Sequence, residues 1–577
     1  MLKRFFPILD WLPNYKKVYL AGDISAGLTV GIMLIPQGMA YALIAGLPPV
    51  YGLYAALVPN LVYALTGSSR KLAVGPVALD SLIVASGLAA MKLATLEEYI
   101  AMALFLAMFV GLFQLAMGFL KMGFLANLLS RPVVSGFTSA AALVIAVSQL
   151  KNILGLDISA LGTLDTLIEV TQKIAQINFW DFGIGLIGIL LILLFKRVHK
   201  KLPAAMMVVI LSISGIYFLS EQIGTVSLVG NIPKGLPSFF VHNIDSMQWV
   251  SAFPIALTLA FISFAEAMTM AKAVEEKSNE YHTDANQELK ALGMSNIVGS
   301  FFQSYCANAG LSRTAVNVNE GAKTGLASIL SALVVGLTLL FLTPIFSYLP
   351  KAVLGAIILV AIYSLIDLKL PIELFKQRKD EFVLLVLTFL TTLLIGITQG
   401  IIFGILFSLV LLVNRISRPH IAVLGRIKGT DYFRNVERFE EDIESFQNIL
   451  ILRFDAQLFF GNKDYFKRQL FNQIKMKEPG LEYVILNAEA INYIDSSAIA
   501  SLKQIIRELD AKGIQFLIAG AIGPTRDIFY SSGLIKVLKQ ENLFVRTQEA
   551  VDYCESLKTK TQIQEKIALQ SKTKMNM

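Results

Sequence analysis

Three ionisable residues lie within long apolar stretches of this chain: Asp80, Glu266 and Arg313. A charge inside a bilayer-spanning segment is costly, so such residues mark substrate paths, proton relays or ion pairs. Arg313 follows Ser312 and offers five donors in a rigid, permanently charged fork, which suits a tetrahedral oxyanion. Glu266 lies in the apolar run 253–271, between Ala265 and Ala267. Loss of hydration favours its protonated form, so it could take up and release a proton near neutral pH. Plainer roles compete with these: Glu266 could be permanently paired with Arg313, and Arg313 could brace protein carbonyls. Asp80 is the least expected of the three. It could be a second proton carrier or a partner for Arg313, and as a further acid near an anion site it alters the charge balance.

These residues fall in or beside two segments unlike ordinary spans. Residues 68–78 lead into a short apolar run ending near Ala90, and residues 306–313 lead into another ending near Asn317. Each places small or polar residues ahead of a run too short to cross a bilayer alone. Pro76 suits the first turn of a helix, where its missing N–H costs nothing. A half-helix starting in mid-membrane exposes free backbone N–H groups and the positive end of its dipole. Two such starts facing each other would form an anion site near the midplane, as expected of inverted-repeat transporters; the alternative is a pair of loops with helix caps. Gln37 and Tyr41 are one turn apart on the first span, which is expected to be broken, so they share a face and both can donate to an anion.

The elements around them are set by composition. The 577 residues are 55% hydrophobic and 16% charged, with a mean hydropathy of +0.63, against about a quarter charged in an ordinary soluble chain. Apolar runs at 100–122, 132–150, 202–219, 325–349 and 382–397 are long enough to span. No cleavable signal is expected before the first span, because Lys3, Arg4, Pro7, Asp10 and Pro13 interrupt the N-terminus. Lys and Arg collect in the N-terminal arm and in the loops at 196–201 and 369–379, while the loop at 220–249 holds only Lys234. Basic loops stay cytosolic, which predicts an even number of crossings with both termini cytosolic. The net charge of +8 then reflects topology, and no nucleic-acid partner is implied. Cys306 and Cys554 are too far apart for a disulfide framework, and His199, His242, His282 and His420 lack metal-ligand spacing. With no nucleophile–base pair either, neither a metal, a cofactor nor an enzyme is expected.

After Val413 the pattern changes. Apolar stretches shrink to strand length at 449–452, 483–486 and 514–518, alternating with helical stretches at 463–475 and 497–509, as in a small α/β domain. Residues 558–577 are polar and lysine-rich, predicting a disordered tail. The expected organisation is an N-terminal arm at 1–20, a transmembrane transporter domain at 21–416 (repeats about 21–222 and 248–416), a cytosolic domain at 417–557 and the tail.

The runs Pro36-Gln37-Gly38-Met39-Ala40-Tyr41-Ala42, Pro48-Pro49-Val50-Tyr51-Gly52-Leu53-Tyr54, Gly67-Ser68-Ser69-Arg70 and Gly75-Pro76-Val77-Ala78 closely resemble the sulfate permease family. So do Asn286-Gln287-Glu288-Leu289 and Ser312-Arg313-Thr314-Ala315-Val316-Asn317. An ordered set of matches over nearly the whole chain is far more specific than a lone glycine motif. The resemblance implies fourteen membrane segments in two inverted repeats of seven, with the half-helices at the third and tenth positions, followed by a STAS domain. It also implies a homodimer in the cell (inner) membrane. Gln37 and Tyr41 would line the pocket, and Val77, Ala78 and Leu311 would complete it. The position of Glu266 matches the glutamate of proton-coupled sulfate carriers; where sodium-coupled members place a hydroxyl one turn on, this chain has Met270. In soluble STAS relatives a serine in the turn matching Asp495-Ser496-Ser497 is phosphorylated to switch a regulatory partner, although these residues could simply cap a helix.

The expected function is therefore proton-coupled symport of a small inorganic oxyanion, sulfate first. Bicarbonate, a dicarboxylate or molybdate would satisfy the same donors. The competing functions are an uncoupled exchanger or channel, a sodium-coupled bicarbonate carrier and, more remotely, a membrane-tethered sensor.

Overall fold

A computed structural model describes residues 5–557 apart from 92, 128–129, 159, 161, 199–202, 220–224, 243–245, 279–280 and 439–442. The expected disordered tail, 558–577, lies outside the described residues, as do Lys3, Arg4 and His199. The chain divides into two compact units, 1–408 and 409–577.

Among the described residues, fourteen principal helices carry the membrane part. In the first half these are α1 (Leu20–Ile44), α2 (Pro49–Thr66), α3 (Ala78–Ala89), α4 (Leu96–Phe119), α5 (Arg131–Leu154), α6 (Phe179–Val198) and α7 (Ala204–Leu219). In the second they are α8 (Ser246–Ser278), α9 (Ala285–Phe301), α10 (Leu311–Asn319), α11 (Leu326–Leu337), α12 (Lys351–Ile362), α13 (Lys379–Leu394) and α14 (Ile397–Ser417). Short helices at Thr163–Gln172 and Lys369–Gln377 connect some of them. Local chemistry sets several starts. Thr95 accepts from Glu98 N while Glu98 accepts from Ala94 N, a reciprocal cap at the head of α4. Asp284 caps α9 by accepting from the Asn286 and Gln287 amides. The first span, expected to be broken, instead runs as one helix through Pro36.

The helices sort into two packed groups. In one, α9 packs on α4 and α2, and α11 packs on α1 and α2. Glycines allow the close crossings: a Cβ on Gly52 would sit 1.9 Å from the Gly38 carbonyl oxygen, so α1 and α2 touch backbone to backbone. In the other group α13 packs on α5, and α12 packs on α5 and α6. Between the repeats, β1 (Val74–Gly75) pairs antiparallel with β2 (Asn308–Ala309), placing Val74 opposite Ala309 and Gly75 opposite Asn308. These two-residue strands lead directly into the short helices α3 and α10.

The second unit is a sheet with helices. Its strands are β3 (Ile421–Ile427), β4 (Phe433–Asn435), β5 (Ile443–Glu444), β6 (Ile449–Phe454), β7 (Tyr483–Asn487), β8 (Gln515–Ala519) and β9 (Leu543–Phe544), with α15 (Lys463–Lys477), α16 (Ser496–Asp510) and α17 (Gly523–Ser531) between them. The order is β4-β3-β6-β7-β8-β9, with β5 on β3; β6 through β9 are parallel and β3 is antiparallel to β6. One face buries Leu450, Leu452, Val484 and Phe516 under Phe466, Leu470, Leu502 and Ile506 of α15 and α16. The other buries Ile451, Ile485 and Leu517 with Val551 and Cys554. Burial on both faces explains the unbroken apolar runs of β6, β7 and β8.

Candidate functional site

The β1–β2 ladder fixes how the two half-helices meet. Gly310 N donates to Ala73 O at 3.0 Å, Ala73 N donates to Thr314 Oγ1 at 3.2 Å, and Asn317 Nδ2 donates to Lys71 O at 3.1 Å. The first turns of α10 thus hold the lead-in to α3, although some 240 residues separate them. Neither start has a side-chain cap: Val77 precedes α3 and Gly310 precedes α10. Their first N–H groups therefore remain available to an anion. Pro76 is not in the first turn as expected; it precedes the cap residue Val77 and contributes its carbonyl instead.

Arg313 joins the two starts. Its Nη1 donates to Pro76 O at 2.9 Å, the bracing role that the sequence left open. Its Nε and Nη2 are buried without a partner. The guanidinium lies against Gly310, where a Cβ would come within 2.5 Å of it, and close to Gly75. Two glycines thus make room for a fully buried arginine, 1% exposed.

A cavity of about 670 Å³ is lined by Gln37, Tyr41, Val77, Ala78, Glu266, Leu311, Ser312 and Arg313. Every expected substrate residue therefore reaches one space. Gln37 Oε1, like the two Arg313 nitrogens, is buried without a partner. Leu311 and Ser312 are exposed to the cavity, and Glu266 is half-buried. Thr29, Met33, Lys196, Asn319 and Glu320 also line it; the sequence marked Lys196 only as part of a basic loop and the others not at all. The lining reaches Lys196 and Pro203, which flank the basic loop after α6. The opposite wall is apolar, with Ile192, Ala204 and Ala205 and, from α12, Ile357, Val360 and Ile362.

Among the described residues Glu266 forms no ion pair with Arg313; its Oε2 accepts from Asn308 Nδ2 at 3.3 Å. Of the two roles expected for Asp80, the partnership with Arg313 is not formed. Asp80 is 1% exposed, does not line the cavity, and accepts from Ser263 Oγ at 2.8 Å where an Arg313 contact was one expectation. The sequence also missed other buried acids. Glu288 accepts from Tyr63 OH and from the Ser68 and Ser69 amides, and Asp23 accepts from the Lys323 and Thr324 amides. Both tie the repeats together, which gives Ser68, Ser69 and Glu288 a structural role.

In the second unit, Asp495 Oδ1 accepts from Ala498 N at 2.7 Å and Oδ2 from Phe460 N at 2.9 Å. Asp495 thus caps α16. Ser496 is exposed and Ser497 half-buried at the same helix start.

Comparison with known proteins agrees with this architecture. Residues 20–388 match the model of the sulfate permease family, and residues 440–550 match that of the STAS domain. The chain is 38% identical over 570 residues to the probable sulfate transporter 4.2 of Arabidopsis thaliana, covering 95% of this chain and 83% of that one. It is also 38% identical over 571 residues to sulfate transporter 4.1, chloroplastic, of the same plant, covering 95% and 82%. Among solved structures it is similar to the murine solute carrier 26 family member A9 anion transporter in the inward-facing state, at 26% identity and a TM-score of 0.88, covering 96% of this chain and 94% of that one. A likeness to the transmembrane domain of the cyanobacterium bicarbonate transporter BicA, at 20% identity and a TM-score of 0.59 over 68% of this chain and 98% of that one, concerns the fold alone.

Proposed function

The chain belongs to the sulfate permease family of anion transporters, and from that premise we propose that it carries sulfate together with a proton. The observation that carries this reading is a buried guanidinium with two unpartnered donors, placed where two uncapped half-helices meet and beside a carboxyl that lines the same cavity. A buried donor left without a partner costs about 1–3 kcal/mol, more when charged, so an oxyanion at this point is strongly favoured. The choice of sulfate rests on the names of the plant relatives.

The charge balance gives Glu266 its role. Ionised, it would place a negative charge in the anion's own cavity; protonated, it leaves Arg313 and the helix starts facing the anion unopposed. Protonated Glu266 therefore permits binding, and release of the anion frees the proton. Apart from Lys196 on α6, the polar side chains of the lining belong to α1, α8 and α10 with Glu320 just beyond it, α3 adds the backbone N–H groups of its start, and the wall from α6, α7 and α12 is otherwise apolar. A binding group can slide along such a wall without losing polar contacts, and that motion would expose the site alternately to each side of the membrane.

We place both termini in the cytosol on the distribution of the basic loops, and the resemblance to the family implies a homodimer in the cell (inner) membrane. The STAS domain takes a regulatory role, with Ser496 the accessible phosphate acceptor. The deciding experiment is uptake of radiolabelled sulfate, bicarbonate, a dicarboxylate and molybdate into vesicles with and without an inward proton gradient. Sulfate accumulation driven by the gradient supports the proposal; equal uptake in both conditions refutes coupling and leaves an exchanger.

A further inference from the structure

Asn308 is fully buried in β2, opposite Gly75 of β1 and three residues ahead of α10. Its Oδ1 accepts from Ala309 N at 2.8 Å, and its Nδ2 donates to Glu266 Oε2 at 3.3 Å. The first bond orients the second. Turning the amide over would set an NH₂ group against the Ala309 N–H and an oxygen against the Glu266 carboxyl, so Asn308 presents only its donor end to Glu266. Behind Glu266, one turn earlier on α8, Ser263 donates to Asp80, and the Asn308 side chain also approaches Asp80. The charged and titratable groups facing Glu266 are Asp80 from α3, Arg313 from α10 and Tyr41 from α1.

We propose that Asn308 is a positioning residue that sets the pH at which the carrier works, by donating to the ionised form of Glu266 and linking that charge to the strand that leads into the second half-helix. A hydrogen bond to a carboxylate is about twice as strong as one to a neutral acid, so Asn308 favours proton release. This inference rests on Glu266 being the coupling group.

The test uses full-length protein in proteoliposomes, with sulfate uptake followed against external pH. Uptake by the wild type falls as pH rises. Asn308→Ala removes the donor, so Glu266 should keep its proton to higher pH, and the midpoint of the fall should move up by about one pH unit, a tenfold change in proton concentration. Asn308→Thr restores a hydroxyl donor and should return the midpoint part of the way; it also serves if the alanine variant does not fold. In a Glu266→Gln background, adding Asn308→Ala should not move the profile. A loss of rate with an unchanged midpoint in both Asn308 variants, while Glu266→Gln is flat, overturns the role of Asn308. A Glu266→Gln variant that keeps the wild-type pH dependence overturns the coupling reading beneath it.

Discussion

Replacing Arg313 tests the anion site most directly. The side chain has two separable parts: Nη1 donates to Pro76 O at 2.9 Å, and Nε and Nη2, buried without a partner, are the proposed sulfate donors. Hydrogen bonds to charged groups contribute about 1.5–3 kcal/mol each, so two directed at sulfate contribute about 3–6 kcal/mol. Arg313→Gln should therefore weaken sulfate binding roughly 10²- to 10⁴-fold. Losing the brace is a smaller effect, about 1 kcal/mol of stability, because a neutral carbonyl loses one donor. Arg313→Lys keeps the charge but not the planar fork, and should fall between wild type and Arg313→Gln. Calorimetric sulfate titration of purified protein, with a thermal melt to confirm folding, measures both quantities. A folded Arg313→Gln variant that binds sulfate within about threefold of wild type, under 1 kcal/mol, would refute the direct contact and leave Arg313 as a brace alone.

Other outcomes follow from the same geometry. Glu266→Gln should retain sulfate binding and sulfate–sulfate exchange, lose accumulation driven by a proton gradient, and give uptake that no longer falls with rising pH. Asp80→Asn keeps an acceptor for Ser263 and lies outside the cavity lining, so sulfate affinity should stay within about threefold of wild type; a larger loss on titration would bring Asp80 into the binding site. Truncation from residue 447 should impair assembly or regulation without changing which anions compete for uptake, since the cavity lining lies entirely between Thr29 and Leu365. In the STAS domain, burial opposes the charge on Asp455, but hydrogen bonds from Arg453 and His420 outweigh it and hold the carboxyl below the usual carboxylate range. A depressed folded value stabilises the fold above the unfolded value and is lost as pH falls through the folded one. Asp455→Asn should therefore lower the thermal midpoint of this unit at neutral pH, with the difference from wild type shrinking below about pH 4.

Much of the site was legible in the sequence because local rules decide it. Arg313 and Glu266 stood out because charge is rare in apolar spans, and the starts of α3 and α10 stood out because Gly and Pro precede runs too short to cross. Gln37 and Tyr41 share a face through helical periodicity alone. The strands β6, β7 and β8 were visible as short apolar runs, whereas β3, with its more mixed composition, was not. Periodicity could not say where Asp80 would turn, since its partner Ser263 is 183 residues away on another helix. Nor could it show that Pro76 would offer its carbonyl to Arg313, 237 residues on, or that Asn308 would donate to Glu266. These contacts exist only when the two repeats fold against each other and β1 meets β2. Composition and spacing thus determined that this chain spans a membrane, which short segments break the pattern and which charges they carry. The tertiary structure decided which of those charges line the cavity and which hold the scaffold, because a buried polar atom takes its partner from whatever the other repeat brings within hydrogen-bond reach.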